Sequence, residues 1–287
     1  MYLLTGKIRL WPLAFGLWFL IIVNLLSLNL SYSNFLVLLL TFFLQGSSTL
    51  FSTHRGAGAF YEVIPYKLMV LPAVVIGLWS LLALLVGGAR FWHDTGGRLS
   101  QLVNPRVHLS AMWDTLRLRY LQGDGHGCNY PDEQFSHARR WFHHLVFYGF
   151  MLNLASTTVA AIYNHFLHRV APYPFWSWPV VLGTVGGVGL LLGAAGLFWF
   201  KWQSDPEPAN SNFRGMDLMF SLLLFLTSLT GLLLLALRET PAMGTLLAVH
   251  LGVVAGLFLT MPYGKFVHAI YRYAALLRNS IEQMHDE

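Results

Sequence analysis

Apolar residues run in blocks of about twenty along most of this chain, and the polar residues between the blocks fall in short clusters. The clearest blocks are Leu68 to Val86, Phe142 to Phe166, Val180 to Phe200, Leu218 to Leu237 and Leu246 to Met261, each closed by charges, prolines or glycines. A helix of about 20 residues, at ~1.5 Å per residue, matches the ~30 Å hydrocarbon core of a bilayer. The pattern therefore predicts five membrane-spanning helices from residue 68 onward. In the first fifty residues Trp11 to Leu28 and Phe35 to Leu44 are both apolar, with the polar stretch Asn29 to Asn34 between them. They read either as one long span with an interfacial lead-in or as two spans. A secretory signal would leave a polar mature chain, whereas here apolar runs recur to residue 263.

Composition agrees. Of 287 residues, 55% are hydrophobic and 11% charged, and no soluble fold of this length buries such a fraction. The predicted fold is all-α, a polytopic membrane helical bundle. The basic residues decide its count and orientation, because cytoplasmic loops collect Lys and Arg. With the 91–140 segment inside, that face holds Arg90, Arg98, Arg106, Arg117, Arg119, Arg139, Arg140, Lys201, Arg214, Lys265, Arg272 and Arg278, against Arg55, Lys67, Arg169 and Arg238 outside. Lys7 and Arg9 join the inner set if the first fifty residues cross once. The preferred reading is thus six spans, seven being the alternative, in a bacterial inner membrane with the C-terminus cytoplasmic. The formal charge of +5 then reports topology and contact with anionic lipid rather than nucleic acid. Tyr173, Phe175, Trp176 and Trp178 fit an interfacial aromatic belt at the outer edge. One cysteine, Cys128, excludes an intrachain disulfide and a cysteine-ligated iron–sulfur cluster, which needs about four thiolates.

Twelve histidines in so apolar a chain point to metal ligation, since paired imidazoles between helices commonly hold haem iron. His285, His126, His137, His108 and His168 lie in polar segments and read as solvated. His250 and His268 are 18 residues apart, about five full turns, so one continuous helix would present both on the same face ~27 Å apart. The antiparallel 142–166 span carries His143 and His144 at its inner end and His165 at its outer end. Depth then matches His143 or His144 with His268, and His165 with His250. Histidines also gather at helix ends because they tolerate the interface. Gly252, Gly256, Gly149, Ala155 and Ser156 would admit a flat macrocycle or, equally, mark close helix packing.

Several long strings carry a family resemblance: HRGAGAFYEVIPY (His54 to Tyr66), GDGHGCNYPDE (Gly123 to Glu133), ARRWFHHLVFYGF (Ala138 to Phe150), LTSLTGLLLLALRETPAMG (Leu226 to Gly244) and VHLGVVAGLFLTMPYGKFVHAIYR (Val249 to Arg272). From about residue 40 to 280 the chain resembles the membrane part of the tricarballylate/citrate-utilisation protein B family, and the related region of cobalamin-biosynthesis CobZ-type proteins. The resemblance implies a membrane electron-transfer domain over 34–280, with a cytoplasmic loop at 91–140, an atypical apolar segment at 1–33 and a tail at 281–287. It implies passage of electrons from a reduced flavoprotein such as tricarballylate dehydrogenase, or a ferredoxin-like iron–sulfur subunit, to the quinone pool. It also implies a distant likeness to the cytochrome b (gamma) subunit of respiratory nitrate reductase, with one or two haems b. By that likeness His143 or His144, His250 and His268 fall on haem-iron ligand positions. Where a further ligand is expected, about ten residues into the 142–166 span, this sequence has Asn153, leaving His165 as a substitute. Family members usually begin with a ferredoxin-like domain, which this sequence lacks; the resemblance then implies either that the clusters reside on a separate subunit or that this is a shortened product whose first thirty residues are atypical.

Two rival functions keep different requirements. A tricarboxylate transporter, prompted by the glycine-rich VLGTVGGVGLLLGAAG (Val181 to Gly196), would need buried charge near the bilayer midplane, and no Lys or Arg lies deep in any span. A passive anchor for a soluble oxidoreductase would need no cofactor. His54 and Glu62 frame a glycine-rich loop at the outer side, read as a capped connection that a quinone headgroup would also suit. Hydrolytic chemistry has no support, because HExxH, a nucleophile elbow and paired buried carboxylates are all missing from the sequence.

Overall fold

Proline and glycine decide where the helices start, stop and touch. The computed structural model describes residues 50–121, 136–203 and 211–286. Its helices are α1 (Ala59–Val63), α2 (Tyr66–Asp94), α3 (Pro105–Arg117), α4 (Ala138–His165), α5 (Trp178–Gln203), α6 (Ser211–Leu237), α7 (Met243–Thr260) and α8 (Val267–Asp286). Short 3₁₀ turns at Leu99–Val103 and Arg119–Leu121 flank α3. Pro65 precedes α2 and Pro105 opens α3, positions where a missing N–H leaves no intrahelical bond unmade. The fold is the expected polytopic helical bundle. Helices α2, α4, α5, α7 and the Leu218–Leu237 part of α6 are long and apolar enough to cross a membrane, and they coincide with the five expected spans. The span expected in the first fifty residues, with Lys7 and Arg9, and the Gly123–Glu133 run with His126 and Cys128, lie outside the described residues.

The tightest seam joins α4 to α5, and it is made of glycines. A Cβ on Gly149 would stand 2.5 Å from the Leu190 backbone nitrogen and 2.8 Å from the Gly186 carbonyl oxygen. One on Gly193 would stand 2.7 Å from the Val146 nitrogen and 2.8 Å from the Phe142 oxygen. The glycine-rich stretch at 181–196 is therefore a packing seam between backbones, the use small residues serve where lipid supplies no hydrophobic drive for association. By contrast α2 leaves Leu71, Leu78, Leu82 and Leu85 exposed along its length, as a helix bordering lipid does.

One sequence expectation fails here. His250 and His268 do not share a helix, because α7 ends at Thr260 and six residues intervene before α8. Pro262 is the cause: it has no N–H to offer the Phe258 carbonyl four residues back, and its ring clashes with that turn. That carbonyl instead accepts from the Met261 N–H at 3.3 Å and from the buried Ser80 hydroxyl of α2 at 2.6 Å. The Gly264 N–H closes the turn onto the Thr260 carbonyl at 2.8 Å.

Freed from α7, α8 packs against α3 and the end of α2. Its Ala274, Leu277 and Ile281 form a core with Val107 and Ala111 of α3 and Trp92 of α2. Phe91 stacks on Tyr271 at 4.8 Å, and His108 Nδ1 lies 3.1 Å from the Tyr273 hydroxyl. The 91–140 segment, expected as a loop, thus contributes an amphipathic helix, and α8 runs through the stretch expected as a tail. Together α3 and α8 floor one end of the bundle; α1 and the 166–177 connection mark the opposite end.

Gly193→Val should lower the thermal midpoint of the detergent-solubilised protein by an amount equivalent to about 1–3 kcal/mol of overpacking, while Gly77→Ala, inside α2 at a site with nothing within 4 Å, should not lower it. A Gly193→Val midpoint equal to that of the parent would refute the seam.

Candidate functional site

Two histidines meet at the α3–α8 end. His143 lies in the second turn of α4, and His268 is the second residue of α8. Their ring centroids are 6.3 Å apart with planes at 88°. The His143 Nδ1 atom is buried and has no hydrogen-bond partner among the described residues. On the other ring, His268 Nδ1 contacts the Lys265 carbonyl oxygen. A carbonyl only accepts, so Nδ1 carries a proton, and in the neutral ring the lone pair then lies on Nε2. His144, about 100° further round α4, turns elsewhere. Its Nδ1–H donates to the Arg140 carbonyl at 2.9 Å, and its ring packs on Trp141 and Tyr148.

Deeper in the bundle, all five long helices line a cavity of about 590 Å³. Its wall is mainly apolar. His250 of α7 contributes the imidazole, with Nδ1 3.0 Å from the Thr230 hydroxyl. That hydroxyl lies 2.7 Å from the Leu226 carbonyl and donates to it. It therefore accepts from His250 Nδ1–H, leaving Nε2 as the basic nitrogen. Gly231 makes room for the ring, since a Cβ there would stand 3.0 Å from His250 Cε1. The buried hydroxyls of Thr227 and Ser228, which also line the cavity, have no partner among the described residues. Asn153 lines the same space.

At the opposite end His165 is the last residue of α4, and its Nε2 lies 2.9 Å from the Tyr66 hydroxyl. It does not line the cavity that holds His250. The structure thus brings together His143 and His268, and does not bring together His165 and His250. The reason is depth: His250 sits seven residues into α7, about 10 Å from its start. Nearby, His54 Nδ1 lies 2.6 Å from Glu62 and its Nε2 2.7 Å from Ser52, which locks the glycine-rich loop.

The sequence reading missed Thr230, whose role is invisible without its neighbour across the helix interface, and Arg238. Arg238 is buried; its Nη1–H donates to the Tyr173 carbonyl at 2.6 Å, and its guanidinium lies 3.7 Å over the Phe175 ring. Burial pushes the Tyr173 phenol up to about 12, so it remains a donor, within reach of the Ala160 and Arg169 carbonyls. The one outward signal was that Arg238 directly ends an apolar span beside an aromatic-rich connection.

A family model described as CitB, Citrate utilization protein B, matches residues 21–287. The chain belongs to the citrate utilization protein B family. Within that family the Citrate utilization protein B of Escherichia coli is 44% identical over 277 residues, which cover 95% of this chain and 70% of that protein. No solved structure matches. The histidine pair, the cavity and the basic end all fall inside the stretch matched to the citrate utilization protein B family.

Thr230→Val removes the acceptor of a buried imidazole N–H and should cost about 1–3 kcal/mol of stability, read as a lower midpoint in detergent; Thr230→Ser should restore most of it. Equal midpoints for Thr230→Val and the parent would contradict the hydrogen bond.

Proposed function

We propose that this chain is a membrane electron-transfer component, receiving electrons from a soluble flavoprotein or iron–sulfur partner at its α3–α8 end and delivering them to quinone. The observation that carries the reading is the His143–His268 pair. Their ring centroids stand 6.3 Å apart, close enough for both imidazoles to be held to one metal ion. The unpaired, buried Nδ1 of His143 is the second mark of a ligand not yet supplied by protein. These residues would suit haem b: His143 and His268 would hold it, with the Lys265 carbonyl orienting the His268 ring. Haem held this way supplies one-electron transfer with no open iron position for oxygen.

The cavity fits a different group. Its described lining offers one imidazole, an amide and two unpaired hydroxyls on an apolar wall, with no second histidine among the described residues. A quinone headgroup brings two carbonyl acceptors for the Thr227 and Ser228 hydroxyls and a flat apolar body for the wall. His250 Nε2 would take or return a proton there. A second haem between His250 and Asn153 would lack a second imidazole. Among the described residues no Lys or Arg lines the cavity, so they offer a tricarboxylate no counter-charge, which disfavours transport.

Orientation follows the basic residues: the α3–α8 end faces the cytoplasm, where a soluble donor would dock, in the inner membrane of a bacterium. The Escherichia coli relative is named for citrate utilisation, and we assign the donor to a flavoprotein that oxidises a related tricarboxylate such as tricarballylate.

A reduced-minus-oxidised visible spectrum and a pyridine haemochrome assay on the purified protein should report one haem b per chain. His143→Ala or His268→Ala should abolish the signal, and His144→Ala and His165→Ala should retain it. A folded preparation without haem would reduce the chain to an anchor. Two haems per chain would reassign His250 as a ligand.

A further inference from the structure

At the α3–α8 end, beside the histidine pair but facing away from it, a pocket of about 740 Å³ opens between the last turn of α3 and the first turns of α4. Three guanidiniums border it, those of Arg117, Arg119 and Arg140. Among the described residues bordering it, one carboxylate answers them. Asp114, nearly buried, lies 3.4 Å from Arg119 Nη1. Arg117 is spread 4.7 Å above the exposed Trp113 ring, and Arg140 keeps a buried Nε atom with no hydrogen-bond partner among the described residues.

The pocket is held open by its own framework. The Tyr148 hydroxyl of α4 donates to the Leu116 carbonyl at 2.6 Å, pinning the end of α3. Leu118 then takes a left-handed conformation at φ 47°, which reverses the chain so that Arg117 and Arg119 both border the space. The Leu118 N–H bonds back to the Thr115 carbonyl, so this carbonyl and that of Leu116 are engaged where they would otherwise repel an anion. His144 completes the wall with Nδ1–H committed to Arg140.

The surroundings fix the chemistry of what would fill it. The α3 face opposite α8 leaves Leu109, Met112 and Trp113 exposed, although α3 is otherwise the most polar helix bordering the bundle. An amphipathic helix with an exposed apolar face and arginines at its end lies at the boundary between headgroups and acyl chains. Excess positive charge at that depth, set against Trp and Tyr rings, matches an anionic amphiphile.

We propose that this pocket binds the phosphate headgroup of an anionic phospholipid, with Arg117 and Arg140 as its main donors and the exposed face of α3 under the acyl chains. The proposal does not rest on the electron-transfer reading, since none of its donors belongs to the histidine pair or the cavity.

The test uses delipidated protein in neutral detergent, titrated with phosphatidylglycerol or phosphatidylcholine and read by native mass spectrometry. Phosphatidylglycerol should bind preferentially. The double variant Arg117→Gln/Arg140→Gln should lose about 30-fold of that preference, from about 1 kcal/mol for each charge removed. Arg139→Gln, at an exposed neighbouring position, should keep most of it, and circular dichroism should show both variants folded. Equal affinity for the two lipids would overturn the proposal, as would a preference that survives the double variant. Displacement of phosphatidylglycerol by millimolar inorganic phosphate or citrate would also overturn it, assigning the site to a soluble anion. If the double variant fails to fold, Arg117→Gln alone carries the test, with loss of preference expected and its persistence contrary.

Discussion

In a bilayer core, where water does not reach backbone groups, a helix can end only where its last carbonyls find protein partners. Here that requirement is met at Phe258. Pro262 cannot donate to its carbonyl, and Ser80 of the neighbouring helix does so at 2.6 Å. The interhelical hydroxyl lets the chain leave α7 at Thr260, turn through Gly264 and restart as α8 across the end of the bundle. Were α7 to continue straight, His268 would lie on the same helix as His250, and α3 would lose the core it shares with Ala274, Leu277 and Ile281 of α8.

From that turn follows the division of labour among the histidines. His143 and His144 are adjacent in sequence yet face different neighbours, one the ring of His268 and the other Trp141, Tyr148 and Arg140. A helix separates consecutive side chains by about 100°, so only one of the two can point at α8. The same geometry gives the α3–α8 end two distinct faces, an imidazole pair on one side and an arginine-bordered pocket on the other. Both lie at the end richest in Lys and Arg, which would favour encounter with an acidic partner or an anionic membrane surface.

The rigidity that holds these faces in register comes from the glycine seam. With backbones of α4 and α5 in direct contact, α4 has little freedom to slide or rotate, and His143 is fixed relative to the cavity wall that Asn153 supplies further along the same helix. Arg238 plays the matching part at the opposite end, pinning the 166–177 connection through Tyr173 and Phe175. The molecule is thus tied at both ends and along one internal seam, around a cavity bordered by all five long helices.

Sequence by itself determined what depends on composition and local spacing. Block length and apolarity set the five described spans, because crossing a bilayer imposes a minimum run of apolar residues. The glycine run read as close packing for the same local reason. Depth alone paired the inner histidines, even though the straight helix assumed for His250 and His268 does not exist. Only the tertiary structure decided which inner histidine faces His268, that His165 is taken up by Tyr66, and that Thr230 fixes the ring of His250. It also showed that the expected inner loop contributes a helix, α3, packed on α8. Each of these depends on a partner far away in sequence: Ser80 on Phe258, Tyr148 on Leu116, Tyr66 on His165. A carbonyl's need for a donor can be read from a proline, but which residue supplies that donor is settled only when the helices pack.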